Sequence, residues 1–126
     1  MSKQLSKIQE EILWYGLSDG CDDWVPIQSL YSATQVCLGT RNFDAVTFLG
    51  DVVGYIASEG IALGGAVTQG EGFIPWALNR RDQEARLRKY ISDHPAPFDG
   101  GYDVWFVVSA MGGQQMLDYW DAQDKS

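Results

Sequence analysis

Apolar residues at Ala45, Phe48, Leu49, Val52, Val53 and Ile56 recur at steps of three and four, and this row runs straight into Gly60 and a glycine-rich stretch. A row with that period is the inward stripe of an amphipathic helix, here over 43–59. Its opposite side carries Thr47, Gly50, Asp51, Gly54 and Ser58, small and nearly flat. Each glycine inside a helix costs about 1 kcal/mol relative to alanine. Such a stripe predicts a close neighbour, either another element of the same chain or a partner protein. Gly60 can take the left-handed conformation that ends a helix. Beyond it, 61–68 and 73–76 read as two strands about a turn at 69–72, and Pro75 confines the second to an edge or its end.

The remaining segments sort around this unit. A first helix is predicted over 2–17, with Leu5, Ile8, Ile12, Leu13 and Tyr15 inward and a stop at 18–20. Trp24 and Val25 form a short extended piece ahead of Pro26, a residue tolerated at a first helical position. The helix that follows reaches Leu38, with Ile27, Leu30, Tyr31, Thr34 and Cys37 inward, and 39–42 breaks it. Asn79 is a good N-cap for a helix to Ser92, ended by His94 and Pro95. After a turn at 99–101, 102–109 is a strand rich in valine and aromatics. Gly112 and Gly113 are read as a break before a short helix over 114–122, with Met116, Leu117 and Trp120 inward. Trp24 and Trp76 each flank a strand and are expected in the core. The sum is a single α+β domain, 1–126, of about five helices and a small antiparallel sheet made of the hairpin 61–76 and the strand 102–109.

At 126 residues the chain can bury most of the surface it exposes when unfolded, and its aromatic content excludes a disordered protein. No run of about 18 apolar residues is present, and the first residues lack the apolar centre of an export signal, so a cytoplasmic protein is expected. Cys21 and Cys37 are read as free thiols in a reducing compartment, with a disulfide left open. The net charge of −8 is uneven. Residues 19–78 set seven acids against Arg41, and 91–126 set six acids against Lys125. Residues 79–90 reverse the sign through Arg80, Arg81, Arg86, Arg88 and Lys89. The overall field repels nucleic acid and anionic lipid and attracts basic partners.

Motifs for catalysis are scarce. One histidine, His94, and no paired-cysteine or histidine–glutamate signature give no metal or cofactor site to expect. Ser109 lacks the flanking glycines of a nucleophile elbow, and the glycine pairs lack the lysine of a phosphate loop. Asp22 with Asp23, or Asp99 with Asp103, are nominal carboxylate pairs for hydrolysis, but a chain this acidic produces such pairs by chance. In the basic helix Glu84 and Arg88 form a favourable i, i+4 pair.

The order from Asp23-Trp-Val-Pro through two helices, Gly60 and the hairpin 61–76 resembles a winged-helix domain, covering roughly residues 5–76. The resemblance implies that the helix 43–59 is the DNA reader, yet it carries Asp44, Asp51 and Glu59 and neither Lys nor Arg. Phosphates and guanine edges call for cations there. In size, acidity and aromatic content the chain also looks like small bacterial immunity proteins that neutralise toxic nucleases. Two binding modes follow. One is a non-enzymatic, acidic inhibitor that docks a basic toxin domain through Asp22, Asp23, Asp44, Asp51 and Glu71, with Trp24, Trp76 or Tyr55 as anchors where exposed. The other is a transcriptional regulator that contacts DNA through Arg41, Arg80, Arg81, Arg88 and the wing.

Overall fold

Ser6 sets the start of the first helix, α1 (Lys7–Leu17). Its Oγ accepts from the Gln9 backbone N–H at 3.2 Å, and its own N–H donates to Gln9 Oε1 at 3.0 Å. This reciprocal capping box satisfies two amides that the helix start leaves unpaired. The helix therefore begins at Lys7 and not at Ser2. The computed structural model describes residues 5–18, 24–38, 45–94 and 102–124. The predicted breaks at 39–42 and 99–101, and Cys21, lie outside them.

The inward row of α1 is rotated from the predicted one. Leu5, Gln9, Ile12, Leu13 and Leu17 are buried, while Ile8 and Tyr15 are exposed, Tyr15 by 50%. Two contacts explain the rotation. The side chain of Gln9 donates to the Phe48 carbonyl at 3.0 Å, so a polar residue is satisfied inside. Gly16 sits against α2 (Gln28–Leu38), where a β-carbon would meet Leu30 Cδ2 at 2.7 Å. Within α2, Leu30, Tyr31, Ala33 and Thr34 are buried and Cys37 is half-buried. The Tyr31 hydroxyl donates to the His94 carbonyl at 2.6 Å, tying α2 to the end of the basic helix.

Helix α3 (Ala45–Ser58) is the centre of the molecule, with Leu49, Val52, Val53 and Ile56 fully buried. Gly60, at φ 66°, closes it as predicted. The Ile61 amide donates to Ile56 O at 3.0 Å and the Gly60 amide to Ala57 O at 3.2 Å. That is a Schellman ending, and the two isoleucines it brings together are both fully buried.

Four antiparallel strands follow the order β1-β4-β2-β3: β1 (Val25–Pro26), β2 (Ala62–Thr68), β3 (Gly72–Pro75) and β4 (Trp105–Val108). In register, Gly65 faces Trp105 on one side and Pro75 on the other, and Val25 faces Phe106. Both edge strands carry a proline, Pro26 and Pro75, which removes a donor and blunts the edge. Alternation sends Val25, Ala62 and Phe106 into the core beneath the helices.

Helix α4 (Arg80–Asp93) starts where predicted, the Asn79 side chain accepting from Asp82 N at 2.8 Å. The last helix, α5 (Ala110–Asp124), corrects the sequence reading: Gly112 and Gly113 lie inside it and do not break it. Ser109 caps it, its Oγ accepting from Gly112 N at 2.8 Å and donating to Gly60 O at 2.8 Å. Gly112 is needed because a β-carbon there would fall on the Ile61 carbonyl. The first turn of α5 thus rests on the turn that ends α3, and Met116 continues into the core while Leu117 is exposed. No described helix is long and apolar enough to cross a membrane.

Candidate functional site

The small face of α3 is covered from within the chain, by α4. Arg88 lies over Gly50 and Gly54; a β-carbon at Gly54 would meet its Cζ at 2.8 Å. Its Nε donates to Glu84 Oε2 at 2.9 Å and its Nη1 sits 3.7 Å from Asp51 Oδ1. The glycines of the helical stripe therefore make room for a guanidinium that a side chain would displace. Leu87 and Ile91, on the same side of α4, are buried and seal the seam.

Other polar groups of α4 are used in the same way. The guanidinium of Arg80 lies over Gly60, with Cζ 2.9 Å from where a β-carbon would stand, beside the carbonyl end of α3. A cation is favourable against that end of a helix dipole. Arg86 Cζ lies 4.2 Å from the centre of the Trp76 ring, which in turn covers Gly64. Buried Gln83 accepts from the Gly64 amide at 3.1 Å and donates to the Leu78 carbonyl at 3.3 Å. It thereby satisfies a strand amide that β3 does not reach. Lys89 pairs with Asp93 at 3.2 Å, and Arg81 is exposed. Among the described residues, Lys7 is the sole cation outside α4.

The acidic residues predicted to bind a partner are dispersed. Asp51 is held under α4 by Arg88, its side chain 13% exposed, whereas Glu71 is exposed at the tip of the β2–β3 hairpin. Asp22, Asp23, Asp44 and Arg41 lie outside the described residues. The tryptophans differ from expectation: Trp24 is 41% exposed and reaches the hairpin at Gly72, and Trp76 is half-buried beneath Arg86. The glycines leave room for the indoles to approach, Trp24 at Gly72 and Trp76 at Gly64, and Trp76 packs against the core from its margin. Tyr55 is half-buried, and burial, then Glu59 and Glu10, push its hydroxyl pKa up.

A face that sequence reasoning missed lies on the sheet. Leu63 is 39% exposed, and Val67, Phe73, Trp105 and Val107 are half-buried on the side away from Phe106. The Phe73 ring fills the space above Gly65, and Trp105 Nε1 donates to the Tyr102 carbonyl at 2.7 Å. Strand alternation carries the signal for this face. Both faces of β2 and β4 read as apolar, so the pattern did not show which would be covered.

The remaining reactive groups are quiet. Burial and then Glu11 push the Cys37 thiol pKa up, which opposes the thiolate a nucleophile needs. His94 caps α4, stacked 4.2 Å from Tyr90 with Nδ1 3.0 Å from the Tyr90 carbonyl. Among the described residues no group of histidine, cysteine and carboxylates is arranged to hold a metal ion. The order α1-β1-α2-α3-β2-β3 is compatible with a winged-helix-like topology within this α+β fold. No protein-family model, curated protein or solved structure matches the chain.

Proposed function

We propose that this chain is a non-enzymatic protein-binding module, an acidic inhibitor of immunity type that neutralises a basic toxin domain. The observation that carries the reading is the distribution of charge: among the described residues every cation but Lys7 belongs to α4, and most of the α4 cations have a contact within the chain. Arg80, Arg86, Arg88 and Lys89 lie against Gly60, Trp76, Asp51 with Glu84, and Asp93. A helix that reads DNA needs cations for phosphates, and α3 carries none. Outside α4 the exposed charges of the described residues are acidic apart from Lys7, in a chain of net charge −8, and such a field accelerates encounter with a basic protein.

The winged-helix likeness belongs to the same proposal, and it keeps a DNA-binding regulator as a second reading. Exposed Arg81 and the neighbouring Arg80 favour it. Against it, α3, the reader in that scheme, lies between the core and α4, and its small face is taken by Arg88. Fluorescence anisotropy of labelled duplex DNA, titrated at increasing salt, separates the two. The inhibitor reading predicts no saturable binding at low salt. Tight binding with a steep salt slope, reduced by Arg80→Ala with Arg81→Ala, would move the assignment to the regulator.

A further inference from the structure

The sheet has one covered face and one open face. Val25, Ala62 and Phe106 are buried on the helix side, while their alternates Leu63, Trp105 and Val107 remain exposed or half-exposed on the other. Phe73 and Val67, paired across β2 and β3, extend this face to the hairpin. A contiguous apolar surface rimmed by polar residues is the usual mark of an interaction site. We propose that this open sheet face is the docking surface for a basic protein partner, an inference that rests on the protein-binding reading above.

Charge decides the occupant. Glu71, at the hairpin tip, and Asp103, two residues ahead of β4, are both exposed toward the hairpin end of the sheet. None of the four strands carries a Lys or Arg, and the described cations other than Lys7 all belong to α4. A second copy of this chain would bring the same two acids and a further −8 charge to the contact. A partner with an apolar centre and cations at its rim fits, since opposite charges steer encounter while central aromatic and aliphatic groups hold the complex. The covered face fixes the geometry. Pro26 and Pro75 blunt the sheet edges, so recognition uses side chains on the face and not strand addition at the edge.

Site-specific photocross-linking tests this. Benzoylphenylalanine is placed at Leu63 or Val107 on the face, and at Val36 or Arg81 as controls, in the cells that make the protein. The expected result is a cross-link to one basic protein from positions 63 and 107, and none from the controls. That protein, purified, should bind the unmodified chain in equal proportion. Leu63→Asp should then weaken binding by about tenfold or more, as for a central contact. Glu71→Lys with Asp103→Lys should slow association and flatten its salt dependence, with circular dichroism unchanged. Cross-links to a protein from the controls alone would overturn the docking face while leaving the protein-binding reading intact. Cross-links to a second copy, or to an acidic protein, would overturn the charge argument. No cross-link from any position would remove the docking face and the reading together.

Discussion

Gly112 and Gly113 are neighbours on α5 that should answer alanine substitution with opposite signs. Alanine in place of glycine in a helix gains up to about 1 kcal/mol of intrinsic preference. Around Gly113 a β-carbon would find open space, so Gly113→Ala should keep most of that gain. At Gly112 the same atom falls on the Ile61 carbonyl, with Ile61 C and Cα at 2.8 and 2.9 Å. These are backbone atoms, fixed by the Ser109 amide, which donates to Ile61 O at 2.9 Å, and by the Schellman turn. Relief requires α5 to lift away, which also pulls on Ser109 Oγ, 2.8 Å from Gly60 O. Overpacking of this kind costs about 1–3 kcal/mol, and each weakened hydrogen bond about 1 kcal/mol. The helix gain does not offset that sum, so Gly112→Ala should lose about 1–3 kcal/mol net. Urea titration followed by circular dichroism measures both. In thermal melts, each kcal/mol in a domain of this size moves Tm by roughly 3–6 °C. A Gly112→Ala protein as stable as wild type would refute the seating of α5 on the end of α3.

Three further outcomes follow from the same contacts. Gln83→Ala removes the acceptor for the buried Gly64 amide and should cost about 1–3 kcal/mol in urea titration; a neutral change would mean water replaces it. Gly54→Ala should be nearly neutral, because the helix gain of about 1 kcal/mol offsets displacement of a half-exposed Arg88 whose pairs contribute about 0.2–1 kcal/mol; a loss above about 2 kcal/mol would show a rigid guanidinium seat. At alkaline pH the tyrosines act together. Burial, then Tyr90, pushes the Tyr31 hydroxyl far above its ordinary range, and burial, followed by nearby carboxylates, raises Tyr55 and Tyr119. The folded state then keeps these protons to higher pH than the unfolded chain. Stability is full below the ordinary tyrosine value, about pH 10, and falls as pH rises through and beyond it. Tyr31→Phe should flatten that alkaline limb and, by losing the bond to the His94 carbonyl, cost about 1 kcal/mol at neutral pH; an unchanged limb would exclude Tyr31 as its source.

The sequence was most readable where a local signal has a local cause. The apolar row of α3, Gly60 as its end, the hairpin, and Asn79 as the cap of α4 depend on backbone geometry within a few residues, and each lies where its residues imply. The capping box Ser6-x-x-Gln9 was equally available, and it marks the start of α1 better than the apolar stripe did. Features with distant causes were not readable. Gly112 and Gly113 look like a break until Ile61 is placed beneath the first of them. Gln9 and Gln83 look like surface residues until Phe48 O and the Gly64 amide supply partners inside. The open choice over the small stripe of α3 was resolved by Arg88, which along the chain reads only as the i, i+4 partner of Glu84. The site suffered most from this dispersal, since Asp51 is an internal ion-pair partner and Glu71 lies on another element. The open sheet face came from which side of two apolar strands the helices cover.

The central claim, that the chain binds a basic protein and not nucleic acid, is tested most directly by a tagged pull-down from the native host. Mass spectrometry and nucleic-acid quantitation are run on the same eluate. The account predicts one basic protein in near-stoichiometric amount and nucleic acid at background. DNA that co-elutes without such a protein, and leaves at moderate salt, would contradict it.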